Sequence, residues 1–377
     1  MKITLVHGFF LPIPPVAGGA MEKIWWRLAR EFAARGHEVI SISRRWPGFP
    51  DRETSHGVHL LRRPGHDHSR HLPLNLLLDA LWSLRALRHL PAADILVSNN
   101  VALPALAPRL APRAGRLVAN LNRYPKGQLR TWGRVARVQA ASAAIAAAAT
   151  RQAPSLASRI RLTPNPVDLA LFNTPAPSRP PGTPLTLGFT GRLHREKGLE
   201  LLAAAARHLA TLRDLPPWRI VIRGPADIPR GGGGPSFEAK LLALAGPLVA
   251  EGRWQHAPPE FDATRLAATY HDYDLFVYPT RAELGEALPV AVLEALAAGV
   301  PVVATDLACF KDYVIPGRTG QTVPLAADAR AWAETLATLI RAPGTRARLA
   351  ARTRHAVAHL DYSAQAESML ADFAALA

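Results

Sequence analysis

Residues 274–305, DLFVYPTRAELGEALPVAVLEALAAGVPVVAT, restrict the fold more than any other stretch of this chain. Two short apolar runs, LFVY at 275–278 and VPVVA at 300–304, enclose a segment whose apolar residues recur at helical spacing. The order is strand, loop, helix, strand. The spacing predicts a helix over 287–298, closed by Gly299 with Pro301 beyond it. Pro289 falls in its first turn, where a missing N–H costs nothing, so the unpaired donors expected there are those of Ala287, Leu288 and their neighbours. A helix start of this kind in a parallel α/β unit attracts phosphate.

Two carboxylates mark this helix, Glu286 at its mouth and Glu294 eight positions on. At ~1.5 Å per residue they stand about 12 Å apart along the axis. That suits a ligand with two polar ends. Either Glu alone also reads as an ordinary helix residue, Glu286 as a complement to the helix dipole and Glu294 as a partly solvated side chain. Their placement after a buried strand, where open parallel sheets bind ligands, favours the functional reading.

The segment resembles the signature of retaining glycosyltransferases of the GT-B fold, family 4: Glu, seven residues, Glu, then Ala and a Gly-x-Pro-Val strand. Glu286, Glu294, Ala295, Gly299, Pro301 and Val302 fit it. The resemblance implies two Rossmann-like α/β domains with parallel sheets facing across a cleft. It also implies that Glu286 faces a donor sugar, that Glu294 holds a nucleotide ribose, and that Ala287, Leu288 and Pro289 lie at the donor phosphates. No metal or other cofactor is implied.

A chain of 377 residues is longer than one hydrophobic core usually supports. The expected organisation is an acceptor-side domain over 1–166, a donor domain over 167–355 and a terminal helix over 356–377 crossing back to the first domain. Pro164 and Pro166 forbid helix at the boundary, and PAPSRPPGTP at 175–184 reads as a linker or exposed loop. Alternating strand and helix patterns run through both halves, which is the signature of parallel sheets.

At 185–191 the strand LTLGFTG runs into RLHREKG. Gly191 ends the strand, and Arg192 and Lys197 flank a turn before the next helix. Two cations there suit a diphosphate, the guanidinium as a fork and the ammonium as a point charge, although a solvated charged turn has the same composition. The resemblance implies the diphosphate role for both. Near the amino terminus, strand 2–7, a loop carrying Gly18 and Gly19, and a helix over 20–35 form a second phosphate-compatible turn. In the resembling family such glycines line the cleft beneath the donor.

Other patterns carry less. The strand at 116–128 ends on Asn120 and Asn122 where related enzymes often place a His, leaving Asn122, Arg123 and Lys126 as acceptor-side candidates. His66, Asp67, His68 and His71 lie in a loop without metal-ligand spacing. Asp272-Tyr273-Asp274 enters a strand rather than leaving one, the wrong edge for a metal-bound ligand. The glycine run 231–234 lacks the Lys and Ser/Thr of a phosphate-binding P-loop.

Lys and Arg outnumber Asp and Glu by 45 to 29, a net charge of +16. The cations are spread along the chain without a nucleic-acid-binding pattern, so an acidic substrate, an anionic membrane face or a compositional bias explains them. The single cysteine, Cys309, excludes an internal disulfide. Together with an opening that reads as a strand rather than a signal peptide, this gives a cytoplasmic expectation, with peripheral association at an anionic membrane as an option. The expected partners are a nucleotide-sugar donor and a glycan or lipid-linked acceptor such as an envelope polysaccharide precursor. A sugar-nucleotide epimerase on the same fold, or a basic protein binding nucleic acid or anionic lipid with a degenerate sugar site, is the alternative.

Overall fold

The computed structural model describes residues 1–377 apart from 70, 173, 175–179 and 181, so part of the expected linker at 175–184 lies outside the described residues. The chain divides into two compact units, Met1–Pro166 with Tyr362–Ala377, and Val167–Asp361. The helix Pro343–Val357 belongs to the second unit because it packs on Val290–Ala297. The return to the first unit therefore falls at 362 rather than 356.

In the first unit the strands are β1 (Lys2–Val6), β2 (Glu38–Arg44), β3 (Arg52–Ser55), β4 (Val58–Arg63), β5 (Ile95–Ser98), β6 (Arg116–Leu121), β7 (Arg137–Ala140) and β8 (Ile160–Leu162). They form one sheet in the order β3-β4-β2-β1-β5-β6-β7-β8. All neighbours run parallel except β3 and β4, which are antiparallel. The chain order reverses between β1 and β5, so the loops that leave these two strands open a crevice at their carboxyl ends. Helices cover the sheet, as a parallel sheet requires. One is Ala20–Ala34, with Ile24, Trp25, Leu28 and Phe32 buried. Another is the terminal Tyr362–Ala374, whose Phe373 meets Phe32 edge to face and whose Asp372 accepts two hydrogen bonds from Arg137, at 2.6 and 2.8 Å.

The second unit is a six-stranded, wholly parallel sheet. Its strands are β9 (Leu185–Thr190), β10 (Trp218–Arg223), β11 (Trp254–Ala257), β12 (Leu275–Tyr278), β13 (Val302–Thr305) and β14 (Gly320–Val323), in the order β11-β10-β9-β12-β13-β14. Here the reversal lies between β9 and β12. Strand β12 is buried throughout, and Phe276 is fully enclosed.

Three elements depart from the sequence expectation. Strand β3, RETS, alternates exposed and half-buried residues, so no apolar run announces it. Strand β14, GQTV, has Val323 as its one apolar side chain and is recruited by pairing with β13. The helix Leu72–Leu87 is amphipathic in the reverse sense. It buries Asp79, Trp82, Ser83 and Ala86 and turns leucines to solvent.

Candidate active site

Strand β9 delivers Gly191 and Arg192 to its carboxyl end, and a tight turn over Arg195–Lys197 follows. Gly198 closes that turn with φ 70° and starts the helix Leu199–Thr211. A β-carbon at Gly198 would stand 1.9 Å from the Pro279 carbonyl oxygen, so only glycine lets this turn lie against the segment that leaves β12. The Arg281 N–H donates to the Glu196 carbonyl at 2.8 Å, a second tie between the two loops.

This close approach brings Lys197 to Glu286. The ammonium donates to Glu286 Oε1 at 2.6 Å, and the two residues are 9% and 5% exposed. Two neutral donors converge on the same oxygen, Thr280 Oγ1 at 2.9 Å and the Tyr278 hydroxyl at 3.3 Å. The Thr280 carbonyl in turn accepts from Thr305 Oγ1 at the end of β13, at 2.8 Å. The carboxylate is therefore held by groups from the turn after β9 and the end of β12, with β13 supporting Thr280. Glu286 Oε2 takes none of these three bonds.

Tyr278 forms the floor. Its ring lies 5.5 Å from the Lys197 ammonium and stacks on Phe189 at 5.7 Å. Burial, and then the charge of Glu286, push its phenol well above the ordinary range, so it stays protonated and donates. The same two causes push the buried Cys309 thiol up to about 12, which removes it as a nucleophile.

Arg192 stands at the more open side. Its guanidinium donates to Glu196 Oε1 at 2.6 Å and to the Gly231 carbonyl at 2.9 Å, with the side chain 41% exposed. Both cations expected to meet a diphosphate are thus engaged with carboxylates, Arg192 with Glu196 and Lys197 with Glu286.

The helix that carries Glu294 spans Val290–Ala297 and starts three residues later than its sequence predicts. Pro289 is its extended N-cap, with ψ 125°, and the residue before a proline is steered away from helical geometry. Glu286 closes a turn instead, its N–H bonded to the Ala282 carbonyl at 3.0 Å. The helix-start donors are accordingly those of Val290 and Ala291 rather than of Ala287 and Leu288, which are buried against the core. Glu294 is half-buried, and its Oε2 accepts from the Tyr270 hydroxyl at 2.7 Å. Tyr270 is fully buried, and burial followed by the Glu294 charge raises its phenol well above the ordinary range.

The sequence signals missed Thr280, Tyr278, Glu196 and Tyr270, which position the predicted residues. A Thr two places after a buried strand, or a Tyr within one, has no pattern that distinguishes it from core. Asp274 accepts from the Thr186 N–H at 2.7 Å at the amino end of the sheet, away from this site. Among the described residues, no group of three or more His, Cys, Asp or Glu is placed to hold a metal ion.

In the first unit, Gly18 and Gly19 lead into the helix Ala20–Ala34, Gly19 as its N-cap with φ 93°. A β-carbon on Gly19 would lie 2.2 Å from Glu22 Oε2 and 2.6 Å from Leu11 Cδ1. Glu22, unremarked in the sequence, is 6% exposed, and burial raises its carboxyl to about 7, only partly offset by a hydrogen bond to its own backbone N–H. His7, just after β1, is hydrogen-bonded through Nε2 with Ser41 Oγ at 2.9 Å and is held neutral, its value lowered to about 3 by burial. Asn122, Arg123 and Lys126 follow β6, half-buried, exposed and exposed respectively. The Lys126 N–H donates to Gln128 Oε1 at 2.7 Å, and neighbouring Asn120 donates to Asn99 Oδ1 at 2.8 Å. His66, Asp67 and His68 remain loop residues, with Asp67 paired to Arg44.

Two doubly wound parallel sheets, the second with cations and carboxylates gathered at its reversal point, define the GT-B class of fold. The first half, residues 17–171, matches the family described as Glycosyltransferase Family 4, and residues 173–356 match Glycosyl transferases group 1. The chain belongs to this glycosyltransferase family. D-inositol 3-phosphate glycosyltransferase of Xylanimonas cellulosilytica is 32% identical over 254 residues, 62% of this chain and 57% of that protein. Phosphatidyl-myo-inositol mannosyltransferase of Mycobacterium leprae is 34% identical over 133 residues, 35% of this chain and 34% of that protein. The chain thus spans little more than half the length of the first of these relatives and a third of the second. Among solved structures, sucrose-phosphate synthase from Thermosynechococcus elongatus superposes with a TM-score of 0.82 at 22% identity, covering 100% of this chain and 98% of that one. HepE of Anabaena in complex with UDP superposes with a TM-score of 0.76 at 18% identity and full coverage of both chains.

Two outcomes follow from the geometry. Lys197→Met strands the Glu286 carboxylate in the interior and lowers stability by about 3 kcal/mol, whereas Lys197→Met with Glu286→Leu recovers most of that loss. Denaturant titration of the four proteins of this cycle reads the coupling, and additive losses would contradict a direct buried pair. For Glu22, the folded value of about 7 exceeds the unfolded value of 4.5. Its stabilising contribution is therefore complete below pH 4.5 and lost as pH rises through 7, by about 3 kcal/mol at ~1.4 per unit. Glu22→Gln should flatten the stability profile over this window by that amount.

Proposed function

We propose that this chain transfers a sugar from a nucleoside-diphosphate sugar to an acceptor hydroxyl with retention of anomeric configuration, and that the step needs no metal. The observation that carries the reading is the convergence of Arg192, Lys197 and Glu286 at the carboxyl ends of β9 and β12, the ligand side of this sheet. The family supports glycosyl transfer, and the structures of HepE with UDP and with UDP-glucose support a nucleotide-sugar donor.

In this reading the donor diphosphate draws the guanidinium of Arg192 from Glu196 and takes a share of the Lys197 ammonium. As the bond from the anomeric carbon to the diphosphate oxygen breaks, negative charge grows on the leaving group. With both cations already engaged by the bound diphosphate, they stabilise this charge without further reorganisation during the step. The helix-start N–H groups at Val290 and Ala291 add donors near the phosphates. Glu286 uses Oε2 for sugar hydroxyls while Oε1 stays locked, and its charge balances the positive character that develops at the anomeric carbon. Glu294 receives the ribose hydroxyls, its carboxylate held in place by Tyr270. Gly18 and Gly19 are the donor-side candidates of the first unit in this reading, and Asn122, Arg123 and Lys126 its acceptor-side candidates. The relatives named for inositol phosphate and phosphatidyl-inositol acceptors support a polyol, glycan or lipid-linked acceptor.

Thermal unfolding in UDP, GDP and ADP and their sugar conjugates tests the donor site. One nucleotide class should stabilise the wild type, by about 2.7 kcal/mol at 100 times its dissociation constant. Glu294→Ala should abolish most of that shift. If no nucleotide shifts the transition, or the variant responds as the wild type does, the donor site is elsewhere.

A further inference from the structure

The helix Leu72–Leu87 faces the wrong way for a helix in water. Its inner side carries polar anchors: the Asp79 carboxylate accepts from the N–H groups of Val101 and Ala102 at 3.1 and 2.8 Å, and the Trp82 indole donates to the His7 carbonyl at 2.9 Å. These contacts fix the helix rigidly to the ends of β1 and β5. Its outer side carries Leu74, Leu77, Leu81 and Leu84, between 43% and 56% exposed, followed by exposed Arg88. Positions 74, 77, 81, 84 and 88 step by three and four, so they form one stripe. Of the fourteen large apolar side chains exposed among the described residues, six belong to this helix, and Leu110 on the adjoining helix Leu103–Leu110 is 63% exposed. A monomeric protein in water seldom leaves such a stripe uncovered.

Charge identifies the occupant. Between residues 68 and 93 the only carboxylate is Asp79, which is buried, whereas Arg88, His71 and His89 are exposed at the helix ends. The adjoining helix adds exposed Arg109, and the short turn Pro112–Ala114 after it adds exposed Arg113. Two copies meeting stripe to stripe would set the like-charged Arg88 ends of the helix against a face whose one carboxylate, Asp79, is buried. An anionic lipid surface complements them, in keeping with the net charge of +16. Sixteen residues give a helix about 24 Å long, ample for one lying in the headgroup plane.

We propose that the outer face of Leu72–Leu87 docks this protein on an anionic bilayer, with Leu77, Leu81 and Leu84 at the acyl boundary and Arg88 at the phosphates. The proposal does not depend on the donor-site reading. Vesicle sedimentation of the full chain tests it, with phosphatidylcholine alone and phosphatidylcholine mixed with phosphatidylglycerol. The wild type should sediment with the mixed vesicles and far less with the neutral ones. Leu77→Ser with Leu81→Ser and Leu84→Ser should lower the partition by about tenfold or more, while thermal unfolding and its response to nucleotide stay as in the wild type. Arg88→Gln should weaken binding to mixed vesicles only. Absence of wild-type binding, or equal binding by the triple variant, overturns the proposal. So does a leucine-dependent dimer in sedimentation equilibrium without vesicle binding, which would assign the stripe to a second copy.

Discussion

An ammonium and a carboxylate 2.6 Å apart, both almost shielded from water, tie the turn after β9 to the loop after β12. Either charge buried alone would be costly, so each loop conformation depends on the other. Lys197 arrives because Gly198 permits contact with the Pro279 carbonyl, and Glu286 arrives because Pro289 delays the helix that follows. Thr280 and Tyr278 at the end of β12 then lock the carboxylate, and Thr305 at the end of β13 holds Thr280 in place. The result is a rigid carboxylate with one oxygen committed to the protein.

The same pairing shapes the chemistry proposed for the site. Arg192 and Lys197 each hold a carboxylate partner, so their positive charge is kept in position and balanced. A diphosphate competes for cations that are already oriented, which is the arrangement electrostatic stabilisation of a leaving group requires. Tyr278, kept protonated by burial and by Glu286, cannot compete as an anion.

Much of this was legible in the residues themselves. The apolar runs at 275–278 and 300–304 are buried neighbours in a parallel sheet, and of the two carboxylates eight positions apart Glu286 precedes the helix between them and Glu294 lies within it. Patterns of this kind survive because burial and helical periodicity act on local sequence. What stayed hidden depends on partners distant in the chain. The Lys197–Glu286 bond spans 89 positions, and neither residue announces the other. Strand β14 exists because β13 offers it a ladder, not because GQTV favours a strand. The leucines of Leu72–Leu87 repeat with helical spacing, yet periodicity alone cannot tell an inward face from an outward one. Asp79 and Trp82 decide it through bonds to residues on other elements.

The proposed action of Glu286 on the sugar, with its position set by Lys197, is tested most directly by nucleoside diphosphate release from the preferred sugar nucleotide, compared between wild type and Glu286→Gln with nucleotide affinity measured in parallel. The amide keeps size and hydrogen bonding but removes the charge. The variant should release product at a rate at least about a hundredfold lower, or roughly 3 kcal/mol in the barrier, with nucleotide affinity changed by no more than about threefold. A near wild-type rate, or a loss confined to nucleotide affinity, would contradict it.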